Sequence, residues 1–334
     1  MKQFFKKLFA FLSIALLPLL LLLAGYIYYD PFKILKPYKD YSYPYVIPNR
    51  DYVSTEVFLK NEKQQDYNSF IFGSSRTIAF PPGSWKKYLH DTDRVYLFDA
   101  SGEAIYGIYT KLKFLDEKQV KIDNALILFC RDAIFRYTEN FDDHLTIKHP
   151  AVSGESWLHF HYVFFKAYLN SKFLASFYNY TFTKKFKPYM TGFIEERKIF
   201  CDTISNGLRI LDQEKEIALD PGAYYQKRSN LFYARKGETP DSVQRINEKS
   251  LFMLHEIKKL LVKHHSNYRI VLSPIYDEIK FHPADLQTLK NIFGENLYDF
   301  TGENNITRSK YNWYEDKHFR PFIGDSLLNL MYKK

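Results

Sequence analysis

Five short apolar runs, each leading into a turn or a helical pattern, lie along the chain after residue 65. The run at residues 125–130 is hydrophobic at every position, which is typical of a strand covered on both faces. Strands that alternate with helices predict an α/β fold of three layers around a mainly parallel, five-stranded sheet. The predicted strands are residues 68–72, 95–98, 125–130, 268–272 and 297–300, and the predicted helices are residues 103–115, 246–264, 285–293 and 323–331.

The N-terminal pattern is different. Lys2, Lys6 and Lys7 precede an uncharged run at residues 8–29. At about 1.5 Å per residue this run is long enough to cross a hydrocarbon core of roughly 30 Å, and the lysines favour a cytoplasmic N-terminus. Residues 1–30 are therefore predicted to be a cytoplasmic tip and a transmembrane signal anchor, with the main domain extracytoplasmic. A cleaved signal peptide is the alternative, although the run is long and no small-x-small cleavage site follows it.

The remaining pattern divides the chain further. Residues 31–60 are rich in Tyr and Pro without a sustained period, and we interpret them as a stalk or linker. Residues 61–334 are predicted to form the α/β domain. Within it, residues from about 140 to 240 interrupt the strand–helix alternation with aromatic helical stretches at 157–165 and 172–182, so they are interpreted as an insertion that caps one end of the sheet.

Composition limits the possible functions. The net charge is +9, or +7 without Lys2, Lys6, Lys7 and Asp30, which together carry +2. Because the basic residues are dispersed, nucleic-acid binding is not expected. Neither a nucleotide-binding glycine motif nor a ligand cluster is evident, so the sequence predicts no cofactor and no metal. Of the two cysteines, Cys130 is expected to be a buried thiol, with a disulfide to Cys201 as the alternative.

Two segments could carry chemistry. Gly73-Ser74-Ser75 follows the first predicted strand, where a sharp turn would expose a hydroxyl at the ligand-binding end of the sheet; the alternative is an ordinary helix N-cap. His318 precedes the last predicted helix, with Glu315 three residues before it and Asp316 as a second acid. A carboxylate that orients a histidine makes it a general base, although such a segment is also typical of a solvated turn.

A serine after the first strand and an acid-x-x-His before the last helix is the block order of the SGNH (GDSL-like) hydrolases and acyltransferases. The chain resembles that family, and within it the membrane-anchored DltD-like and alginate-O-acetyltransferase-like branches. The resemblance implies that Ser75 is the nucleophile, His318 the base and Glu315 the acid, with Asp316 as the alternative acid. It also implies that the N–H groups of Ser75 and Gly102 form the oxyanion hole, unless Ser101-Gly102 is a plain turn.

The family's third block, Gly-x-Asn-Asp, is absent, and Cys130-Arg131-Asp132 stands in its place. Arg131 is expected either to replace the missing donor or to pair with Asp132. Arg76, Arg131 and Arg320 are the predicted substrate-binding residues, with surface ion pairing as the alternative for Arg76 and Arg320.

The resemblance implies an extracytoplasmic serine esterase or O-acyltransferase that acts on a cell-envelope glycan or acylated polymer. A multi-spanning membrane acyl exporter is the expected partner of a transferase. A non-catalytic SGNH-fold protein that binds glycan or scaffolds an envelope assembly complex is the second hypothesis, because the third-block Asn is missing.

Overall fold

The computed structural model describes residues 1–333 except for the side chains of residues 8, 10, 12, 14 and 15. At its centre is a parallel sheet of five strands in the order β2-β1-β3-β7-β9. All five predicted strands are confirmed, as is the α/β class. The strands are β1 Ser69–Gly73, β2 Val95–Asp99, β3 Asn124–Phe129, β7 Asn267–Leu272 and β9 Leu297–Asp299.

Apolar cores fill both faces of this sheet. Side chains alternate along a strand, so Phe70 and Phe72 of β1 enter one core while Ile71 enters the other. The sheet is therefore the middle layer of three, as expected from the uninterrupted apolar runs. The helices against the first core are α2 Arg50–Gln65, α4 Ile105–Glu117, α10 Glu248–Lys263 and α11 Pro283–Phe293, and those against the second are α3 Pro82–Lys86, α8 Leu211–Leu219, α9 Pro221–Lys227 and α12 Pro321–Tyr332.

The predicted helices correspond to α4, α10, α11 and α12, with each end within two residues of its expected position. Local chemistry explains the ends. Asn247 caps α10 by accepting a hydrogen bond from the N–H of Ser250 at 2.9 Å. Both α11 and α12 begin with proline, whose fixed φ and missing N–H suit the first helical position.

Residues 31–60 differ from the stalk that the sequence predicted. Phe32, Ile34 and Tyr41 are buried, and from Arg50 the chain forms α2, which packs across β2. Phe58 of α2 is completely buried. The prediction missed this helix because buried polar and apolar residues alternate around it, so the sequence has no clear amphipathic period.

The predicted insertion is divided between two parts of the fold: α8 and α9 pack in the second core of the sheet, and the aromatic helices form a cluster of their own. Its aromatic helices pack with Tyr26, Phe32 and Tyr52 in a third apolar cluster. Its hairpin is attached to the edge of the sheet, because the N–H of Leu97 donates to the carbonyl of Ser205 at 2.9 Å. The insertion contains α5 Pro150–Ser153, α6 Trp157–Tyr168, α7 Ser171–Thr183, and the antiparallel pair β4 Ile199–Cys201 and β5 Leu208–Ile210, followed by α8 and α9; a short parallel pair, β6 Thr239–Pro240 with β8 Ile279–Lys280, comes after it.

The N-terminal segment is helical over α1, Lys2–Tyr29. The predicted anchor at residues 8–29 includes the five residues whose side chains lie outside the described part. Among the residues that are described, no helix is both long and apolar enough to cross a membrane. Cys130 and Cys201 are both buried free thiols, so the alternative of a disulfide between them is wrong.

Candidate active site

The turn after β1 presents the serine. Gly73 has φ +147°, and a Cβ on it would lie 2.9 Å from the carbonyl oxygen of Leu128 on β3. Only glycine avoids that contact, because the obstacle is backbone rather than a flexible side chain. Ser74 is buried, and Ser75 begins a short 3₁₀ helix, Ser75–Ala79. The strand therefore ends abruptly, and the Ser75 hydroxyl lies at the carboxyl end of the sheet.

The histidine lies in a short hairpin before α12. Trp313 and Phe319 form an antiparallel bridge, and the N–H of Tyr314 donates to the carbonyl of His318 at 2.9 Å. Two tyrosines of α9 hold the hairpin by hydrogen bonds to its backbone. The hydroxyl of Tyr224 donates to the carbonyl of Tyr314 at 3.0 Å, and that of Tyr225 to the carbonyl of Trp313 at 2.8 Å. This support comes from the inserted region, whose role in the site no sequence motif indicated.

Ser75, His318 and Glu315 form a hydrogen-bonded triad. Ser75 Oγ lies 2.8 Å from His318 Nε2, and the other ring nitrogen, Nδ1, contacts Glu315 Oε1. A carboxylate on Nδ1 favours the tautomer that carries its proton there, which leaves Nε2 free to accept the serine proton. The structure thus brings together the three residues that the sequence singled out from opposite ends of the domain.

The charge on Glu315 is maintained by its neighbours. Burial alone raises the pKa of this carboxyl, but the charge and hydrogen bond of His318, with smaller contributions from Arg197 and Arg76, outweigh burial and lower its pKa below the usual value. Asp316, the alternative acid, has no hydrogen bond to His318 within the described residues. Its pKa is raised, mainly by burial and by the nearby charge of Glu315. Glu315 is therefore the acid that the geometry favours.

The two predicted oxyanion donors, Ser75 and Gly102, both have a backbone N–H that is unbonded in the described part of the chain. The loop after β2 that carries Gly102 is joined to the serine turn, because the N–H of Ala100 donates to the carbonyl of Gly73 at 3.1 Å. Gly102 has φ +56°, and this left-handed conformation favours glycine.

The third block does not provide another oxyanion donor. Arg131 pairs with Asp241 at 2.7 Å and with Asp277 at 2.5 Å, and only 9% of its side chain is exposed. The expectation that it replaces the missing Asn, or pairs with Asp132, is wrong because these two distant carboxylates hold the guanidinium. Cys130 Sγ instead contacts Ser74 Oγ at 3.1 Å.

The other predicted substrate-binding arginines are also engaged within the protein. Arg76 makes two hydrogen bonds to Asp132, at 2.7 and 2.9 Å, and donates to the carbonyl of Lys317 at 2.7 Å. Arg320 pairs with Glu214 at 2.7 Å. The structure thus supports ion pairing, the alternative reading, for both. Arg76 joins the loops that follow β1 and β3 to the histidine hairpin, so it positions the triad.

Close packing also fixes the distance between Ser75 and His318. At Gly324 in α12, an added Cβ would lie only 1.7 Å from the carbonyl oxygen of Ala79, at the end of the 3₁₀ helix that begins with Ser75. The helix after the histidine therefore lies directly against the turn after the serine. A glycine on this face is what permits the approach.

A small, mostly apolar cavity of about 70 Å³ opens beside Ser75 and His318. Two polar pairs lie in its wall: Arg50 donates to Asp99 at 2.7 Å, and Arg197 donates to Glu195 at 2.8 Å. Sequence reasoning missed these residues because Arg50 lies in the supposed stalk and Arg197 in the insertion, without a motif. The apolar wall includes Tyr41, Pro44, Ile47, Ile199, Leu208 and Ile210.

Four charged side chains without solvent exposure pack against the Gly102 loop in the protein interior and stabilise it. Lys111 Nζ lies 2.7 Å from Glu103 and 3.0 Å from Asp51, and Lys148 contacts the same two carboxylates. Two positive and two negative charges balance, which is the arrangement that buried ions require. Lys111 also donates to the carbonyl of Asp99 at 2.9 Å. This buried quartet connects α2, the Gly102 loop, α4 and the insertion.

The arrangement suits acyl transfer through a serine. Among the described residues, no group of three or more His, Cys, Asp or Glu side chains is placed to hold a metal ion. No protein-family model matches the chain, and no curated protein is significantly similar to it.

Proposed function

We propose that this protein is an extracytoplasmic serine O-acyl esterase or O-acyltransferase of the SGNH type, acting on a cell-envelope polysaccharide or a related polymer. The observation that carries the proposal is the contact of 2.8 Å between Ser75 Oγ and His318 Nε2, with Glu315 on the opposite ring nitrogen. Three side chains from two distant parts of the chain meet at the carboxyl end of a parallel sheet, where ligands of such folds bind.

The proposed reaction has two halves. Ser75 Oγ attacks the ester carbonyl while His318 Nε2 takes its proton, and the N–H groups of Ser75 and Gly102 bind the oxyanion. The ester C–O bond then breaks, and His318 returns the proton to the leaving alcohol. Water or a sugar hydroxyl attacks the acyl-enzyme, again losing its proton to His318. The bond to Ser75 breaks, and Ser75 recovers the proton.

The cavity beside the triad favours a short acyl group. An apolar cavity of about 150 Å³ admits benzene, and the cavity here is about half that volume, at about 70 Å³. An acyl group of two or three carbons matches this space. Its apolar wall would accept the alkyl part while the carbonyl carbon faces Ser75.

The proposed location is the outer side of a membrane. The three lysines at the N-terminal end of α1 support it, as do the exposed apolar side chains of Phe4, Phe9 and Leu20 on the same helix. For a transferase, a multi-spanning membrane acyl exporter is the proposed source of the acyl group.

The test is covalent labelling of the full-length chain with a fluorophosphonate, which reacts with activated serines. We expect labelling of the wild type, none of Ser75→Ala, and labelling slowed at least about a hundredfold in His318→Ala, the usual minimum contribution of a general base. Ser326→Ala, an exposed serine on α12, is the matched control. A membrane-impermeant form of the probe, applied to intact cells, should label Ser75 if the domain lies outside.

A non-catalytic, glycan-binding role is the second candidate. The observation that favours it is that Arg131 is held by Asp241 and Asp277 and so does not replace the missing Asn. One lost oxyanion donor costs about 2.7–4 kcal/mol of transition-state stabilisation. Wild-type protein that is folded but unlabelled would favour this role over the enzymatic one.

A further inference from the structure

A second, larger cavity shares one wall residue, Ser101, with the cavity of the triad. Its volume is about 420 Å³, and Gly102, the second candidate oxyanion donor, is part of its wall. Arg136 is also part of this wall and lies close to Gly102: a Cβ built on Gly102 would be 4.0 Å from the Arg136 guanidinium. Because Ser101 belongs to both walls, a molecule bound in this cavity would lie beside the cavity that contains Ser75.

The wall of this cavity contains polar groups that lack partners. The hydroxyls of Tyr137 and Thr146 are buried, and within the described residues neither makes a hydrogen bond. Unpaired buried hydroxyls are rare in folded proteins and call for a ligand or an ordered water. Burial raises the pKa of Tyr137 to about 12, so its hydroxyl remains a donor at neutral pH.

Aromatic rings and an unpaired cation complete the wall. The rings of Tyr137 and Phe141 stack with centroids 6.0 Å apart, and the Phe141 side chain is exposed. The Arg136 side chain is also exposed, and its guanidinium makes no ion pair or hydrogen bond with the described residues. Asp143 is the other charged residue of the wall, but its carboxylate accepts a hydrogen bond from the N–H of Leu145 at 2.9 Å and lies 3.8 Å from His144 Nδ1. Arg136 is therefore the charge available to a ligand.

The volume sets the size of that ligand. A cavity of about 150 Å³ that admits the six heavy atoms of benzene gives roughly 25 Å³ per heavy atom. On that scale, the cavity of about 420 Å³ holds roughly seventeen heavy atoms. One hexuronic acid unit fits, whereas two linked units do not.

We infer that this cavity is the subsite for the sugar of the ester or acceptor, and that it binds a single sugar unit bearing an anionic group. The anion pairs with Arg136, the sugar ring lies against Phe141, and its hydroxyl groups bond to Tyr137 and Thr146. The ester bond between the sugar and the acyl group then lies beside Ser101 and Gly102. This inference rests on the proposed function, because it assigns the second half of the same substrate.

Binding to the full-length Ser75→Ala protein tests the subsite without turnover. The probes are trigalacturonic acid and its neutral counterpart galactotriose, with dissociation constants measured by saturation-transfer NMR. We expect trigalacturonate to bind at least tenfold more tightly than galactotriose. Adding Arg136→Gln should weaken trigalacturonate binding at least tenfold, because a hydrogen bond to a charged group is worth about 1.5–3 kcal/mol.

Phe141→Ala should weaken the binding of both sugars, whereas Lys290→Gln, an exposed change on α11 outside both cavities, is the control. Equal binding of the two sugars, no binding of either, or an Arg136→Gln variant with unchanged affinity would overturn the inference. Fluorophosphonate labelling of the wild type reports on Ser75 alone. A wild-type protein that is labelled but binds no sugar therefore contradicts the subsite and leaves the proposed chemistry standing. A protein that is not labelled but binds trigalacturonate contradicts the proposed chemistry and leaves the sugar site standing.

Discussion

Arg76 holds three loops of the site together at the scale of a single residue. It follows the nucleophile directly, yet its guanidinium points away from the cavity to Asp132 and to the carbonyl of Lys317. A planar guanidinium binds a carboxylate through two parallel hydrogen bonds, which fixes orientation as well as distance. The positive charge of Arg76 therefore aligns the loops around Ser75.

The pH dependence of stability should reveal this pair. Burial raises the pKa of Asp132, but the hydrogen bonds and charge of Arg76 outweigh it and lower the pKa below its usual 3.8. A lowered folded-state pKa contributes stability above pH 3.8, and that contribution disappears as the pH falls through the lower, folded-state value. Asp132→Asn should therefore unfold more easily than the wild type from pH 7 down to about pH 4, with a difference that shrinks below that. Urea unfolding at a series of pH values measures it, and a constant difference down to pH 2 would contradict the assignment.

At the scale of elements, α12 determines where the histidine lies relative to the serine. The helix contacts the 3₁₀ turn through Gly324 and the carbonyl of Ala79. The hairpin with Glu315 and His318 leads directly into α12, so a shift of this helix moves the imidazole.

Gly324→Ala should reduce both stability and labelling of Ser75. The new methyl group would overlap the Ala79 carbonyl, and overpacking of this kind costs about 1–3 kcal/mol. Gly83→Ala in α3 is a matched control, because no atom lies within 4 Å of the added Cβ and alanine favours a helix by about 0.5–1 kcal/mol. Thermal unfolding and labelling rates measure both variants; if Gly324→Ala labelled at the wild-type rate, this contact would not set the Ser75–His318 distance.

At the scale of the whole molecule, the buried quartet joins parts of the chain that the sequence pattern separates. Asp51 is the second residue of α2, Glu103 precedes α4, Lys111 lies within α4, and Lys148 lies in the insertion just before α5. All four side chains have no solvent exposure. Removing one charge leaves another buried without its partner.

Lys111→Met should destabilise the fold by about 3–5 kcal/mol, the cost of breaking a buried ion pair. The double variant Lys111→Met/Glu103→Gln restores neutrality, so its loss should be at least about 0.5 kcal/mol smaller than the sum of the two single losses. Lys113→Met is the control on the same helix, since more than half of that side chain is exposed. Urea denaturation measures all four proteins, and strictly additive losses would show that the four charges act independently.

Features that depend on residues close together in the sequence could be predicted for this protein, whereas contacts between residues far apart in the sequence could not. The run at residues 125–130 indicates its own strand, because burial on both faces requires continuous hydrophobicity. Ser75 and His318 could be proposed from the sequence because Ser75 follows a predicted strand and His318 precedes a predicted helix. The partners of Arg131 lie more than a hundred residues away, at Asp241 and Asp277, and no local pattern connects them. Arg136 lies in a loop without any motif, so only its position in the cavity wall indicates a role in binding.

The order of strands in the central sheet has a consequence for biosynthesis. The neighbour of β3 is β7, and their first residues, Asn124 and Asn267, are separated by 143 positions. At about 5–20 residues per second, roughly 7–30 s pass between the synthesis of these two strands. During that interval the apolar edge of β3 has no partner, and an unpaired edge of this kind invites association with other chains. We therefore expect the emerging polypeptide to be prone to association until β7 is made, and His318 is added later still.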